Sequence, residues 1–276
     1  MSKIECKICP HHCKLEENQI GICRGRINKN SEVTALNYGH VSGIAIDPIE
    51  KKPLRRFYPG SNILSVGSFG CNLKCSFCQN HEISMVGKKD IKTQYVTPEN
   101  LIELALELIP KGNIGIAYTY NEPLIGFEYV RDCSKLAKEN NLKNVVVTNG
   151  CFCEESMEEL MPYIDAFNID LKGFTNEFYE KIGGDLNVVK KFIKLASENA
   201  HVEITTLIIP DENDSEDEIR ELSEFLSSIN KNIPLHLSRF FPCYEMADKN
   251  ATKISTIYKL AEIARESLNY VYEGNC

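Results

Sequence analysis

From Ile63 onward the chain alternates between apolar runs of five to eight residues and longer stretches whose apolar positions recur at helical spacing. The runs near 63–68, 114–120, 144–148, 165–171, 202–209 and 234–238 each precede a segment long enough for a helix, which predicts βα units on a parallel sheet. Helix starts are legible. Thr97 before Pro98 supplies an N-cap with proline at the first helical position, and Leu101, Leu104, Ala105 and Leu108 form the stripe that follows. Ser215 with Glu218 makes a capping box ahead of Ile219, Leu222 and Leu226, so the acidic run 212–221 reads as the start of a solvated helix rather than a metal-binding patch. Six such repeats form an α/β fold that is either an open doubly wound sheet or a partial (β/α)6 barrel. In both, chemistry collects at the carboxyl ends of the strands. Residues 1–60 have a different texture, rich in Cys, Gly and Lys with only short strand-like runs at 33–38 and 41–46. They are expected to form a small N-terminal module, with the α/β domain at 61–276.

Composition narrows the function classes. At 43% hydrophobic and 25% charged over 276 residues, the chain can bury a full core and is neither disordered nor collagen-like. No apolar stretch approaches the roughly 18 residues of a membrane span, and Met1 to Cys6 lacks a signal-peptide core, so a cytoplasmic protein with no membrane partner is expected. A net charge of -8 argues against a nucleic-acid partner. The basic stretch Lys51-Lys52-Pro53-Leu54-Arg55-Arg56 is read as a solvated turn.

Twelve cysteines in a reducing compartment point to metal before disulfides. Seven fall in two clusters, Cys6, Cys9, Cys13 and Cys23 in the first, and Cys71, Cys75 and Cys78 in the second; Cys133, Cys151, Cys153, Cys243 and Cys276 are scattered. The second cluster, within Gly70 to Asn80, follows the first predicted strand. Its three thiolates at Cys-x-x-x-Cys-x-x-Cys spacing cannot complete a four-cysteine site. A [4Fe-4S] cube held by three of them keeps one iron open to a ligand. A structural zinc with His81 as fourth ligand and unligated core cysteines are the alternatives.

With that loop the chain resembles the radical S-adenosylmethionine (SAM) enzymes, and within them the pyruvate formate-lyase activating enzymes and the AmmeMemoRadiSam system branch. The motifs that carry the resemblance span nearly the whole chain: Cys6-x-x-Cys9-Pro10-x-x-Cys13, Pro48 to Leu54, Phe57 to Ser61, Gly70 to Asn80, Tyr118 to Pro123, Thr148 to Gly150, Asn168 to Gly173, Ile208 to Pro210, His236 to Phe240 and Tyr270 to Tyr272. The resemblance implies a partial TIM-like barrel rather than a doubly wound sheet. It also implies a [4Fe-4S] cluster whose open iron is chelated by the SAM amine and carboxylate, and whose electron splits SAM into methionine and a 5′-deoxyadenosyl radical.

Further roles follow from the same resemblance. Asn121 and Glu122 would hold the SAM amine, against a plain strand-to-helix turn. Asp170 and Lys172 share a strand face, and Lys172 would neutralise the SAM carboxylate, against a structural ion pair between the two. His236, in the sixth strand, matches the family's ribose contact, with Arg239 just beyond it. Val147, Thr148, Asn168 and Asp170 match a monovalent cation site but lack one acidic residue. The expected function is hydrogen abstraction from an unidentified small substrate, with an electron donor such as flavodoxin or ferredoxin. A glycyl-radical-enzyme activase is the alternative enzyme, and a non-catalytic iron-sulfur or zinc protein the alternative of another class. The stretch from Pro48 to Ser61 is expected to cover the barrel mouth, which favours a small substrate.

Cys6, Cys9, Cys13 and Cys23 supply four thiolates, enough to close a tetrahedral site in a module too small for its own core. Zinc or a second [4Fe-4S] cluster fits the spacing, with His11 and His12 exposed. The two cysteine groups lie far apart in sequence. Cys151 and Cys153, after Thr148-Asn149-Gly150, are read as packing thiols.

Overall fold

The computed structural model describes residues 3–276. Its centre is an eight-stranded sheet with β1 (Gly43–Pro48), β2 (Asn62–Gly67), β3 (Asn113–Tyr118), β4 (Lys143–Thr148), β5 (Ala166–Asp170), β6 (His201–Ile208), β7 (Leu235–Arg239) and β8 (Val271–Gly274) adjacent in chain order. Strands β2 to β8 are parallel, and β1 pairs antiparallel with β2, from Gly43 opposite Gly67 to Pro48 opposite Asn62. β1 and β8 stand at the two edges, so the barrel is partial. All six predicted strands are present, and β8 is a seventh parallel strand where six were expected. β1 draws residues 43–48 of the N-terminal segment into the barrel sheet, and Arg239 is the last residue of β7 rather than beyond it.

The helices α1 (Pro98–Glu107), α2 (Phe127–Glu139), α3 (Asn176–Ile182), α4 (Leu186–Asn199), α5 (Glu216–Asn230) and α6 (Ile254–Arg265) fill the connections. Their starts are the ones the sequence signals. Thr97 Oγ1 accepts from the Asn100 amide at 3.2 Å and Ser215 Oγ from the Glu218 amide at 3.2 Å, but the expected capping box is only half formed, because the buried Glu218 carboxylate accepts from the Phe174 amide instead. Outward strand residues such as Leu64, Ile116, Val146, Ile169 and Ile204 pack with helix residues including Leu101, Ala105, Phe192 and Leu222 in one continuous core.

The inward face of the strands carries a second, smaller apolar cluster. Ile63, Ala117, Val145 and Ala166 meet Ile49, Leu54 and Phe57 from the strap between β1 and β2. Val145 is register-paired with both Ala117 and Ala166, so these side chains form one layer, toward the amino ends of β4 and β5. The strap therefore plugs the bore from the end opposite the carboxyl-terminal loops; it does not cover the mouth. Nor is its basic stretch one solvated turn. Leu54 is wholly buried, and Lys52, 3% exposed, donates to Asp47 Oδ2 at 2.9 Å, which also accepts from the Tyr120 hydroxyl at 2.9 Å. Only Lys51, Arg55 and Arg56 of its charged residues face solvent.

Before β1 the chain forms two antiparallel hairpins, Ile4–Glu5 with Lys14–Leu15 and Arg26–Lys29 with Glu32–Ala35. Buried Arg26 ties the second hairpin to α2, donating to both Glu128 carboxylate oxygens at 2.9 and 2.7 Å and to the carbonyls of Ile125 and Val33. Among the described residues no helix is long and apolar enough to cross a membrane.

Candidate active site

The loop that bears Cys71, Cys75 and Cys78 leaves β2 through Gly70, whose φ of +85° favours glycine and whose position allows no side chain, since a Cβ there would lie 2.4 Å from the Cys23 carbonyl oxygen. Four asparagines then hold the loop in place. Asn121 Nδ2 donates to Gly70 O at 3.0 Å while its Oδ1 accepts from Ser68 N at 2.8 Å. Asn72 Nδ2 donates to Cys151 O at 2.9 Å, and Asn149 Nδ2 donates to Asn72 Oδ1 at 2.8 Å. Asn80 Nδ2 reaches Tyr120 O at 2.7 Å. On the outer side, His11 Nε2 donates to Asn72 O at 2.7 Å, so His11 is half-buried against the loop, whereas His12 is exposed as expected.

The three cysteines line a cavity of about 570 Å3 at the carboxyl ends of the strands, together with Asn121, Glu122, Asp170, Lys172, Thr205 and His236. Strap residues Pro53 and Arg55 form part of the same wall. The volume is that of a site for one nucleoside-sized ligand. Burial pushes the Cys71 thiol up strongly and Cys75 up to about 12, so the pocket disfavours bare thiolates and accepts them only beside a cation.

Opposite the loop, Lys172 Nζ pairs with Asp170 Oδ2 at 2.9 Å. Burial pulls the lysine pKa down, but Asp170 and the Cys75 sulfur push it further up, so Lys172 stays an ammonium facing the cysteine loop. Glu122 is 3% exposed and stitches two strand ends together: Oε1 accepts from Thr148 Oγ1 at 2.8 Å and Leu124 N at 3.0 Å, and Oε2 from Asn149 N at 2.8 Å. Burial outweighs these bonds and pushes its pKa up to about 7. Asn121 and Glu122 thus spend their side-chain polar atoms on the scaffold, bracing the cysteine loop and the end of β4.

His236 Nε2 donates to Glu203 Oε2 at 2.6 Å. Glu203 is fully buried and also accepts from His201 Nε2 at 3.0 Å and from the Arg55 and Arg56 amides at 3.0 and 2.7 Å. Burial raises its pKa, but the two histidines and two amides lower it more, to about 2. Glu203 is the residue that sequence reasoning missed. The signal was present: a glutamate inside the apolar run 202–209 is a charge in a buried strand, which requires partners.

The structure therefore gathers every predicted cofactor residue except one around a single cavity. Arg239 does not line it. His236 and Ser238 alternate into the cavity, which puts Arg239 on the opposite strand face, where Nε donates to Thr252 O at 2.6 Å and the guanidinium lies 4.6 Å from the Phe241 ring centroid. Of the four positions matched to a cation site, Asn168 is used elsewhere, its Nδ2 donating to Pro53 O and Thr205 Oγ1 at 2.9 Å each. His81 stacks on Tyr244 at 4.3 Å with Nδ1 against Cys78 O. Among the described residues no three His, Cys, Asp or Glu side chains converge as one metal ion requires, so the zinc alternative at this loop has no fourth ligand. Cys151 is 1% exposed, as a packing thiol should be.

The sequence pattern of the radical SAM superfamily matches residues 65–225, from the core of β2 into α5. The chain belongs to the radical SAM superfamily. It is an enzyme of that class, and membership implies a [4Fe-4S] cluster and SAM; the three-thiol loop facing a nucleoside-sized cavity, with no protein fourth ligand, fits both. The chain is 40% identical to an uncharacterised protein of Methanocaldococcus jannaschii over 99% of its own length and 82% of the relative's. It is 28% identical to the pyruvate formate-lyase-activating enzyme of Clostridium pasteurianum over 74% of this chain and 85% of that one. Among solved structures, the fold matches SuiB of Streptococcus suis bound to S-adenosylmethionine with a TM-score of 0.59 at 17% identity, covering 75% of this chain and 48% of SuiB.

Proposed function

We propose that this protein is a radical SAM enzyme of the AmmeMemoRadiSam branch that cleaves SAM reductively and abstracts hydrogen from a small substrate. The observation that carries the reading is the facing of Cys71, Cys75 and Cys78 by the Asp170–Lys172 pair and His236 across one cavity. The cluster, once reduced by a low-potential donor of the flavodoxin or ferredoxin class, supplies the electron that splits SAM into methionine and a 5′-deoxyadenosyl radical. The chain's own residues bind and orient. Cys71, Cys75 and Cys78 would hold three of the cluster's irons. Lys172 offers its ammonium to the SAM carboxylate, with Asp170 fixing its direction. The turn at Thr119 to Glu122 presents backbone groups to the amine. His236 contacts the ribose, its Nε2 proton held by Glu203. The strap seals the lower bore, which keeps water from reaching the radical from below.

The cluster and SAM would take up most of the cavity of about 570 Å3, which favours a small molecule or a single protruding group at its mouth. The likeness to the activating enzymes favours a second reading, in which that group is the glycine of a partner protein. Two measurements test these readings. Anaerobic reduced protein is expected to release 5′-deoxyadenosine and methionine from SAM, and no release from protein with a reduced cluster contradicts the function. A glycyl-radical doublet on a candidate partner would replace the small substrate with the protein one.

A further inference from the structure

The cysteines before residue 24 are not spent by the chemistry above. The first hairpin brings Cys6 and Cys13 together, the Cys6 amide donating to the Cys13 carbonyl at 2.9 Å. The turn from Gly21 to Arg24 adds Cys23, and a Cβ placed on Gly21 would lie 3.8 Å from the sulfurs of both Cys13 and Cys23. Cys6, Cys9 and Cys23 are 7%, 7% and 5% exposed, and Cys13 is half-buried. Cys9 lies within electrostatic reach of Cys6, Cys13 and Cys23, so the four thiols form one group, none of them in a disulfide.

We propose that Cys6, Cys9, Cys13 and Cys23 ligate a second [4Fe-4S] cluster, packed against the loop that carries the first. Zinc with bonds of about 2.3 Å to sulfur draws its thiolates to within roughly 4 Å of each other. The four sulfurs do not converge that far. Neither do those of the Cys71 loop, whose superfamily implies a cube, and a cube spreads its ligands over its corners. Neither histidine competes for a corner, because His11 is bonded to Asn72 O and His12 pairs with Glu5. Four thiolates coordinate all four irons, so this cluster has no open position for SAM. The two groups, far apart in sequence, touch in the fold: the Cys71 amide donates to the Cys23 carbonyl at 3.1 Å, a ligand of one site bonded to a ligand of the other.

The test is metal content of the C71A/C75A/C78A protein purified without oxygen. The expected result is about four irons and about four sulfides per chain, without stoichiometric zinc, and a reduced-state electron paramagnetic resonance spectrum that SAM leaves unchanged. One zinc without iron, or no metal, overturns the proposal. Should the variant fail to fold, the wild-type protein decides: about eight irons, with only part of the signal responding to SAM, supports it, and about four irons overturns it. Absence of SAM cleavage by wild-type protein would defeat the proposed function and leave this count as it stands, so the two fail separately.

Discussion

The two ends of the barrel bore are built from the same strands and behave oppositely. At the amino-terminal end, Ile49, Leu54 and Phe57 of the strap pack onto Ile63, Ala117, Val145 and Ala166 and fill the bore. At the carboxyl-terminal end, inward positions further along the strands are Asp170, Thr205 and His236, and the bore is open. Between them, Asn168 and Glu203 bind the strap backbone with polar groups. One end thus supplies packing energy and water exclusion, so the other can keep a half-buried ammonium, a buried glutamate and three thiols around a cavity. The sharpest way to break this division of labour is at the open end. Replacing Cys71, Cys75 or Cys78 by Ala should reduce SAM cleavage to background, because two thiolates hold a cube poorly, while circular dichroism shows the barrel intact.

The filled end should respond in stability instead. Leu54→Ala and Phe57→Ala are expected to destabilise the protein by about 2–5 kcal/mol, as core truncations do, and to lower the melting temperature measured without oxygen. Unchanged stability would mean that the strap rests on the barrel rather than in it.

This strap also marks where sequence reading stopped. The six strands and helix starts were legible because continuous apolar runs, period-3.6 stripes and the Thr97 and Ser215 N-caps are local. The strap was misread because Lys51, Lys52, Arg55 and Arg56 dominate its composition, while Ile49, Leu54 and Phe57 carry no regular period. β8 escaped because Val271–Gly274 is short and edge-placed. The contact of Cys23 with Cys71 is tertiary, and 47 intervening residues hide it. Eight of the nine predicted cluster and cofactor residues line the cavity, and Arg239 fails because strand alternation sends His236 and its neighbour at 239 to opposite faces.

The layer between the two ends gives a pH-dependent prediction. Glu203 lies at about 2 when folded against an ordinary 4.5, so the folded state binds fewer protons than the unfolded one in that interval. Its contribution is fully present above pH 4.5 and is lost as pH falls toward 2, amounting to up to about 3 kcal/mol. Glu203→Gln should flatten this acid limb in anaerobic thermal melts; an identical pH profile would show that the carboxylate is not the group responsible. A smaller effect separates two cations. Lys172→Met should raise the SAM KM by roughly tenfold or more, whereas Arg239→Ala should change it less than about twofold, since only the lysine faces the cavity. Equal effects would place Arg239 back among the ligands.

The open end of the bore is the proposed meeting place of SAM and the cluster that Cys71, Cys75 and Cys78 would hold. Electron-nuclear double resonance on the reduced protein, with SAM labelled isotopically at its amino nitrogen, tests it most directly. A hyperfine coupling between that nitrogen and the cluster is expected, and it should be lost in Cys75→Ala. A cluster signal with no coupling to SAM, in protein that binds SAM, would contradict it.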